Sequence, residues 1–95
     1  MIKSFKDKET EMVFHQEFSK KIPNVIQKIA LRKLMMINVA EKLSDLKVPP
    51  GNHLEALSGD KAGKWSIRIN NQWRIIFKPS ENGRDYEDVE IIDYH

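Results

Sequence analysis

The 95-residue sequence contains no cysteine. That excludes a disulfide scaffold and a thiolate metal site, so the fold must stand on packing, and it fits a reducing compartment. Glycine and proline are scarce, at four residues each. Gly59 and Gly63 are too few to form either glycine-rich nucleotide loop. The three histidines, His15, His53 and His95, lie far apart, and no HExxH occurs. No metal site and no cofactor are expected. The serines sit in no nucleophile-elbow context. No apolar run approaches the ~20 residues of a bilayer span. The opening MIKSFKDKETE is charged and lacks a signal-peptide core. The expectation is a cytoplasmic protein with no membrane partner.

What remains is enough for one domain, residues 1–95. A chain of this size buries roughly 60–65% of its unfolded surface, which supports one modest core. The net charge is only +2, but it is unevenly spread. Up to Pro50 there are ten Lys and Arg against six Asp and Glu; beyond it, six against eight. The basic first half, with Lys28 and Arg32 among its cations, is compatible with RNA or ribosome contact through phosphates. On charge alone, an ordinary lysine-rich helix surface is the favoured reading.

The strongest local signal is the stretch from Leu54 to Phe77. Trp65, Ile67 and Ile69 alternate with polar residues, as do Trp73, Ile75 and Phe77 with Gln72 and Arg74. This period predicts two half-buried strands. Asn70-Asn71-Gln72 forms the polar break, and asparagine tolerates left-handed turn conformations. A two-residue loop would mix apolar and polar sets on each face. A three-residue loop at 70–72 pairs Ile69 with Trp73, Ile67 with Ile75 and Trp65 with Phe77, leaving one face wholly apolar. The same register sets Arg68 across from Arg74. Like charges so placed destabilise a sheet by up to about 1 kcal/mol. An anion-binding surface would explain the choice; two solvated arginines leaning apart would also satisfy it.

Elsewhere the pattern is helical. Ile2 to Lys6 alternates weakly and could form a short strand. Asp7 can cap a first helix, with Glu9 and Glu11 in its first turn, and Phe14 and Phe18 are expected on one face of it. His15 points to the surface. Pro23 is placed as a first-turn proline. From there to about Ala40, Ile26, Ile29, Ala30, Leu34, Ile37 and Ala40 form one stripe. Gln27, Lys28, Arg32 and Lys33 are expected to cover the remainder, and Met35 and Met36 flank the stripe. A shorter helical piece follows, with Leu43 and Leu46 as contacts. Val48-Pro-Pro-Gly-Asn makes a rigid connector. Residues 79–85 read as a loop and Val89 to Tyr94 as the last strand. Helices followed by antiparallel strands is an α+β order. The helices should pack on the face carrying the two tryptophans, and the face with Arg68 and Arg74 should stay open.

The chemistry left to this chain is that of Arg68, Arg74, Lys61, Asp93, Tyr94 and His95. Arginine holds phosphate bidentately and stays charged. Histidine can pass a proton near neutral pH. Tyrosine can stack on a base. Together these groups suit phosphodiester transfer without a metal, in which an RNA 2′-hydroxyl attacks the adjacent phosphate while arginines stabilise the growing charge. A terminal Asp-Tyr-His can equally be a frayed end.

The runs LEALSGDKAGKWSIRIN, QWRI, the ending DVEIIDYH, the opening MIKSF and the segment LKVPPGN together resemble the HigB-type branch of the RelE/ParE toxin superfamily. The likeness covers essentially the whole chain. It implies helices packed on one face of a small curved antiparallel β-sheet. It implies a type II toxin, an mRNA interferase that enters the ribosomal A site and cuts mRNA. It implies a cognate HigA-type antitoxin with a helix-turn-helix domain, operator DNA being reached only through that antitoxin. By motif position, the phosphate-stabilising arginine falls on Arg74 and the second basic strand residue on Arg68. The terminal acid, tyrosine and histidine fall on Asp93, Tyr94 and His95. In that picture His95 transfers the proton, Tyr94 orients or stacks on the nucleotide, and Asp93 sets the histidine. Some relatives carry a basic residue just before the Gly-Asp and a histidine three residues earlier; here Ser58 and Glu55 stand there. Lys61 and Lys64 are the cations placed to compensate. His53 would share the face only if its strand starts that early. The rival reading is a ParE-like binder of DNA gyrase, which has no use for a proton-transfer group.

Overall fold

A computed structural model describes residues 1–93. Two helices, α1 (Lys8–Phe14) and α2 (Asn24–Val39), precede a sheet of β1 (Glu55–Ala56), β2 (Trp65–Arg68), β3 (Trp73–Pro79) and β4 (Tyr86–Asp93). The four strands are antiparallel in the order β1-β2-β3-β4. The N-terminal segment lies beyond β4 as two parallel bridges, Ile2 to Tyr86 and Phe5 to Val89. It is bonded through Lys3 N–H to the Tyr86 carbonyl at 2.8 Å and Val89 N–H to the Ser4 carbonyl at 3.1 Å.

The hairpin adopts the expected register: Trp65 faces Phe77, Ile67 faces Ile75 and Arg68 faces Arg74. Asn70 makes the turn. Its side-chain oxygen accepts from the N–H groups of Gln72 and Trp73, both at 2.8 Å. Ahead of β2, Gly59 and Gly63 both take positive φ, which glycine adopts without steric penalty.

Asp7 caps α1, accepting from Thr10 N–H at 2.8 Å. The helix then ends before Phe18. Gln16 adopts φ +63°, with Gln16 N–H bonded to Val13 O and Glu17 N–H to Met12 O. This is the left-handed stop that satisfies the last carbonyls. Phe14 and Phe18 therefore do not share a helix face, and Phe18 is exposed. Pro23 precedes α2 as its N-cap instead of standing in its first turn. Gln27 reaches back in its place, donating to the carbonyls of Ser19 and Ile22 at 2.8 and 2.7 Å.

The α2 stripe of Ile26, Ala30, Leu34 and Ile37 packs with Ile67, Ile75, Phe77, Tyr86, Val89 and Ile91 in one core cluster. Leu46, on the short 3-10 turn Leu43–Lys47, joins it. Three expectations are corrected here. Lys33 does not cover the outside of α2. It is 6% exposed, and its ammonium donates to the side-chain oxygen of the fully buried Asn52. Its stripe neighbours Ala30, Leu34 and Ile37 carry it inward. The last strand begins at Tyr86, not Val89. A bulge opposite Ile76–Lys78, with Asp88 at φ +52°, resets the two-residue period so that Tyr86 and Val89 both face the core. The Tyr86 ring meets Phe77 edge-on at 5.5 Å and its hydroxyl donates to the Ala40 carbonyl at 3.3 Å. Finally, the arginine face is not wholly open: Ser66 and Ile76 on it have no exposure. The long Arg74 side chain, diagonal to Ser66 on the neighbouring strand, reaches over to that hydroxyl.

Candidate active site

Alternation from the register defines the face away from the helices. One cross-strand row runs Glu55, Ser66, Ile76, Glu90; the next runs Arg68, Arg74, Ile92. Lys64, two residues before Ser66, continues this parity, and Lys78 pairs with Glu87. Lys6 reaches in from the N-terminal segment to Glu90 at 3.9 Å.

Arg74 is held from several sides. Its Nε–H donates to Ser66 Oγ at 2.9 Å and an Nη–H to the His53 carbonyl at 2.8 Å. The Glu55 carboxylate lies 3.9 Å away, and the Arg74 side chain is only 13% exposed. Ser66 is diagonal to Arg74 in the ladder, within reach of a long side chain. The His53 carbonyl arrives because His53 takes φ +45° just before β1. Arg68 instead donates to the Asn71 side-chain oxygen at the hairpin tip. The two guanidiniums are thus drawn toward different acceptors, one inward and one toward the turn. Such fixed donors on one sheet face suit recognition of a phosphodiester, whose charge spreads over several oxygens.

Of the other expected site residues, Lys61 lines a shallow depression of about 290 Å³ with Glu55, Leu57 and Ser58 beside β1. Lys64 joins the same end, its carbonyl accepting from Leu57 N–H at 2.9 Å. Lys28 and Arg32 are exposed on α2, on the other side of the core from the arginines. Asp93 lies opposite Trp73, hence on the helix-facing parity at the sheet's end, and accepts from Gln72 Nε2 at 3.0 Å. Tyr94 and His95 lie outside the described residues. His53 precedes the two-residue β1, so the strand does not start early enough to carry its imidazole onto the face. Sequence reasoning passed over Lys78, which the alternation could have found, and the backbone acceptor of His53, for which no side-chain signal exists. Among the described residues no group of three or more His, Asp or Glu side chains is arranged to hold a metal ion. No helix among them is long and apolar enough to cross a membrane.

Residues 3–95 match a family described as the RelE-like toxin of type II toxin-antitoxin system HigB. The chain belongs to the HigB-like toxin family. Toxin HigB-1 of Vibrio cholerae serotype O1 is 40% identical over 79 residues, 82% of this chain and 83% of that protein. Endoribonuclease HigB of Proteus vulgaris is 33% identical over 95 residues, the full length of both. The YoeB-YefM complex from Staphylococcus aureus contains a chain of the same fold, with TM-score 0.57, 21% identity and coverage of 100% of this chain and 95% of that one. The two helices over a four-stranded antiparallel sheet in this HigB-like toxin are therefore a fold shared with a chain of that complex.

Proposed function

We propose that this HigB-like toxin is an endoribonuclease that cuts mRNA in the ribosomal A site without a metal. The observation that carries the reading is the Arg68–Arg74 pair, with Arg74 oriented by Ser66 and His53 on the face away from the helices. The endoribonuclease name of the full-length Proteus vulgaris relative supports it. In the reaction, the RNA 2′-oxygen bonds to the adjacent phosphorus and the bond to the 5′-oxygen breaks, leaving a 2′,3′-cyclic phosphate and a 5′-hydroxyl. Arg74 stabilises the charge gathering on the non-bridging oxygens, and Arg68 binds the same or the neighbouring phosphate. His95 transfers the proton that moves between the 2′-hydroxyl and the leaving oxygen, Tyr94 orients or stacks on the nucleotide, and Asp93 sets the histidine. Lys61 and Lys64 extend the positive charge along the β1 side. Lys28 and Arg32 meet ribosomal RNA from the helix side. With few catalytic groups on so small a sheet, the ribosome supplies positioning of the substrate.

The partners in this reading are the ribosome, mRNA and a HigA-type helix-turn-helix antitoxin through which the pair reaches operator DNA. The toxin acts in the cytoplasm. The test maps mRNA 5′ ends by primer extension in a purified translation system, with and without ribosomes. Codon-phased cuts that require ribosomes, and that fall steeply but measurably with Arg74→Ala or His95→Gln at equal soluble protein, are expected. Intact mRNA from a toxin that still arrests growth would overturn the reading.

A further inference from the structure

The buried Lys33–Asn52 pair has no role in the reaction as described, and it leads directly to Arg74. Lys33 belongs to α2, on the opposite side of the sheet from the arginines, and is 6% exposed. Asn52 ends the 3-10 turn Pro50–Asn52 and is fully buried. Lys33 Nζ donates to the Asn52 side-chain oxygen. The Asn52 amide nitrogen donates in turn to the carbonyls of Leu46 and Val48, at 3.1 and 3.4 Å. One side chain therefore fastens the connector at its start and middle and ties it to α2.

Burying an ammonium against a neutral amide is a costly way to fill space. Burial holds the Lys33 amine below the ordinary lysine range, with the charge of Arg32 adding to the effect. A methionine would pack at this position without desolvating a charge. What the polar pair provides is direction. The next residue, His53, takes the left-handed conformation at φ +45°, which non-glycine residues rarely adopt. Its N–H is bonded to the Pro50 carbonyl at 3.1 Å. Its own carbonyl receives the Arg74 Nη–H at 2.8 Å. The path Lys33, Asn52, His53 carbonyl, Arg74 is continuous, three side chains joined through the backbone of His53.

We propose that Lys33 and Asn52 are positioning residues that set the Arg74 guanidinium through the His53 carbonyl. The inference rests on the reading of Arg74 as the phosphate-stabilising group. Displacing a catalytic group by about 1 Å can lower a rate on the order of a hundredfold. Asn52→Ala frees both ends of the connector and lets the His53 carbonyl move.

The experiment measures cleavage of mRNA on programmed ribosomes as a function of ribosome concentration. Wild type, Asn52→Ala, Arg74→Ala and the double variant are compared, with thermal unfolding of each. The expected result is a rate at saturating ribosomes about 10- to 100-fold lower for Asn52→Ala, with the half-saturating concentration unchanged. In the Arg74→Ala background, Asn52→Ala is expected to add no further loss, because residues acting through one group are not additive. A core control, Val13→Ala in α1, lowers stability without touching the path and should keep the wild-type rate where it is folded. If Asn52→Ala does not fold, Lys33→Met replaces it and is read the same way. A wild-type rate in the variant, an equal loss in the core control, or full additivity with Arg74→Ala would each overturn the proposal. An active Arg74→Ala would instead overturn the underlying catalytic reading, so the two failures are distinguishable.

Discussion

Replacing Arg68 by glutamine is expected to stabilise the protein while weakening the proposed nuclease activity. Arg68 and Arg74 are directly opposed on β2 and β3. Like charges so placed destabilise an antiparallel pair by roughly 0.2–1 kcal/mol. Part of this is already offset, since the Glu55 carboxylate lies 3.9 Å from Arg74 and Arg68 is drawn to the Asn71 side-chain oxygen. The remaining repulsion is taken as about 0.5 kcal/mol, the middle of that range. Glutamine keeps an amide donor on a shorter stem and removes the charge together with the guanidinium fork. For a domain of this size the gain corresponds to a Tm rise of about 2–4 °C. The assay is thermal unfolding by circular dichroism at 0.05 and 1 M salt. The difference between wild type and variant should shrink at high salt, where the Debye length falls to about 3 Å. Ribosome-dependent cleavage by the same variant should fall at least about tenfold through loss of a phosphate donor. A Tm that drops, or a gain that salt does not touch, would refute the like-charge argument.

Tyr86→Phe loses the bond to the Ala40 carbonyl and should cost about 1 kcal/mol in urea unfolding. Burial, then the charges of Asp45 and Asp85, raise the Tyr86 phenol above its ordinary value of 10.0. The folded state thus keeps that proton longer than the unfolded state, so stability falls as pH rises past 10, and the fall should shrink in Tyr86→Phe. Lys33 behaves in the opposite direction. Its lowered value means the folded state releases the proton first, so stability contributed by this group rises between that value and the ordinary 10.5. Lys33→Met should abolish the rise, as unfolding in urea across that pH range will show. Phe77→Ala, at a fully buried position, should cost about 3–5 kcal/mol, measured by denaturant titration. Cleavage should vary between about pH 5 and 8 if His95 passes the proton, and a flat profile measured with substrate-saturated ribosomes would contradict that role.

Much of the arginine face is legible in the sequence, because it follows from a pattern of period two. Once Asn70-Asn71-Gln72 is a three-residue loop, an apolar face and the Arg68–Arg74 opposition are the same fact. The cap at Asp7 was readable for a similar reason: its bond to Thr10 is local in sequence. Where a local signal was overridden, the cause was local too but carried no residue-type signature. Gln16 in a left-handed conformation stopped α1 ahead of Phe18, and the bulge at Asp88 hid Tyr86 from a strict alternation.

The hairpin register, the inward stripe of α2 and the residue types available for phosphate chemistry all follow from neighbours along the chain, since side-chain direction repeats every 2.0 or 3.6 residues. The placement of Lys33 in the interior, the reach of Arg74 to the buried Ser66, and the grip of His53 on Arg74 do not. They depend on groups 8 to 21 residues apart, and in the last case on a backbone carbonyl. Every residue owns such a carbonyl, so no residue type announces which one will meet the arginine. That choice is made when the connector packs against α2 and the edge of the sheet.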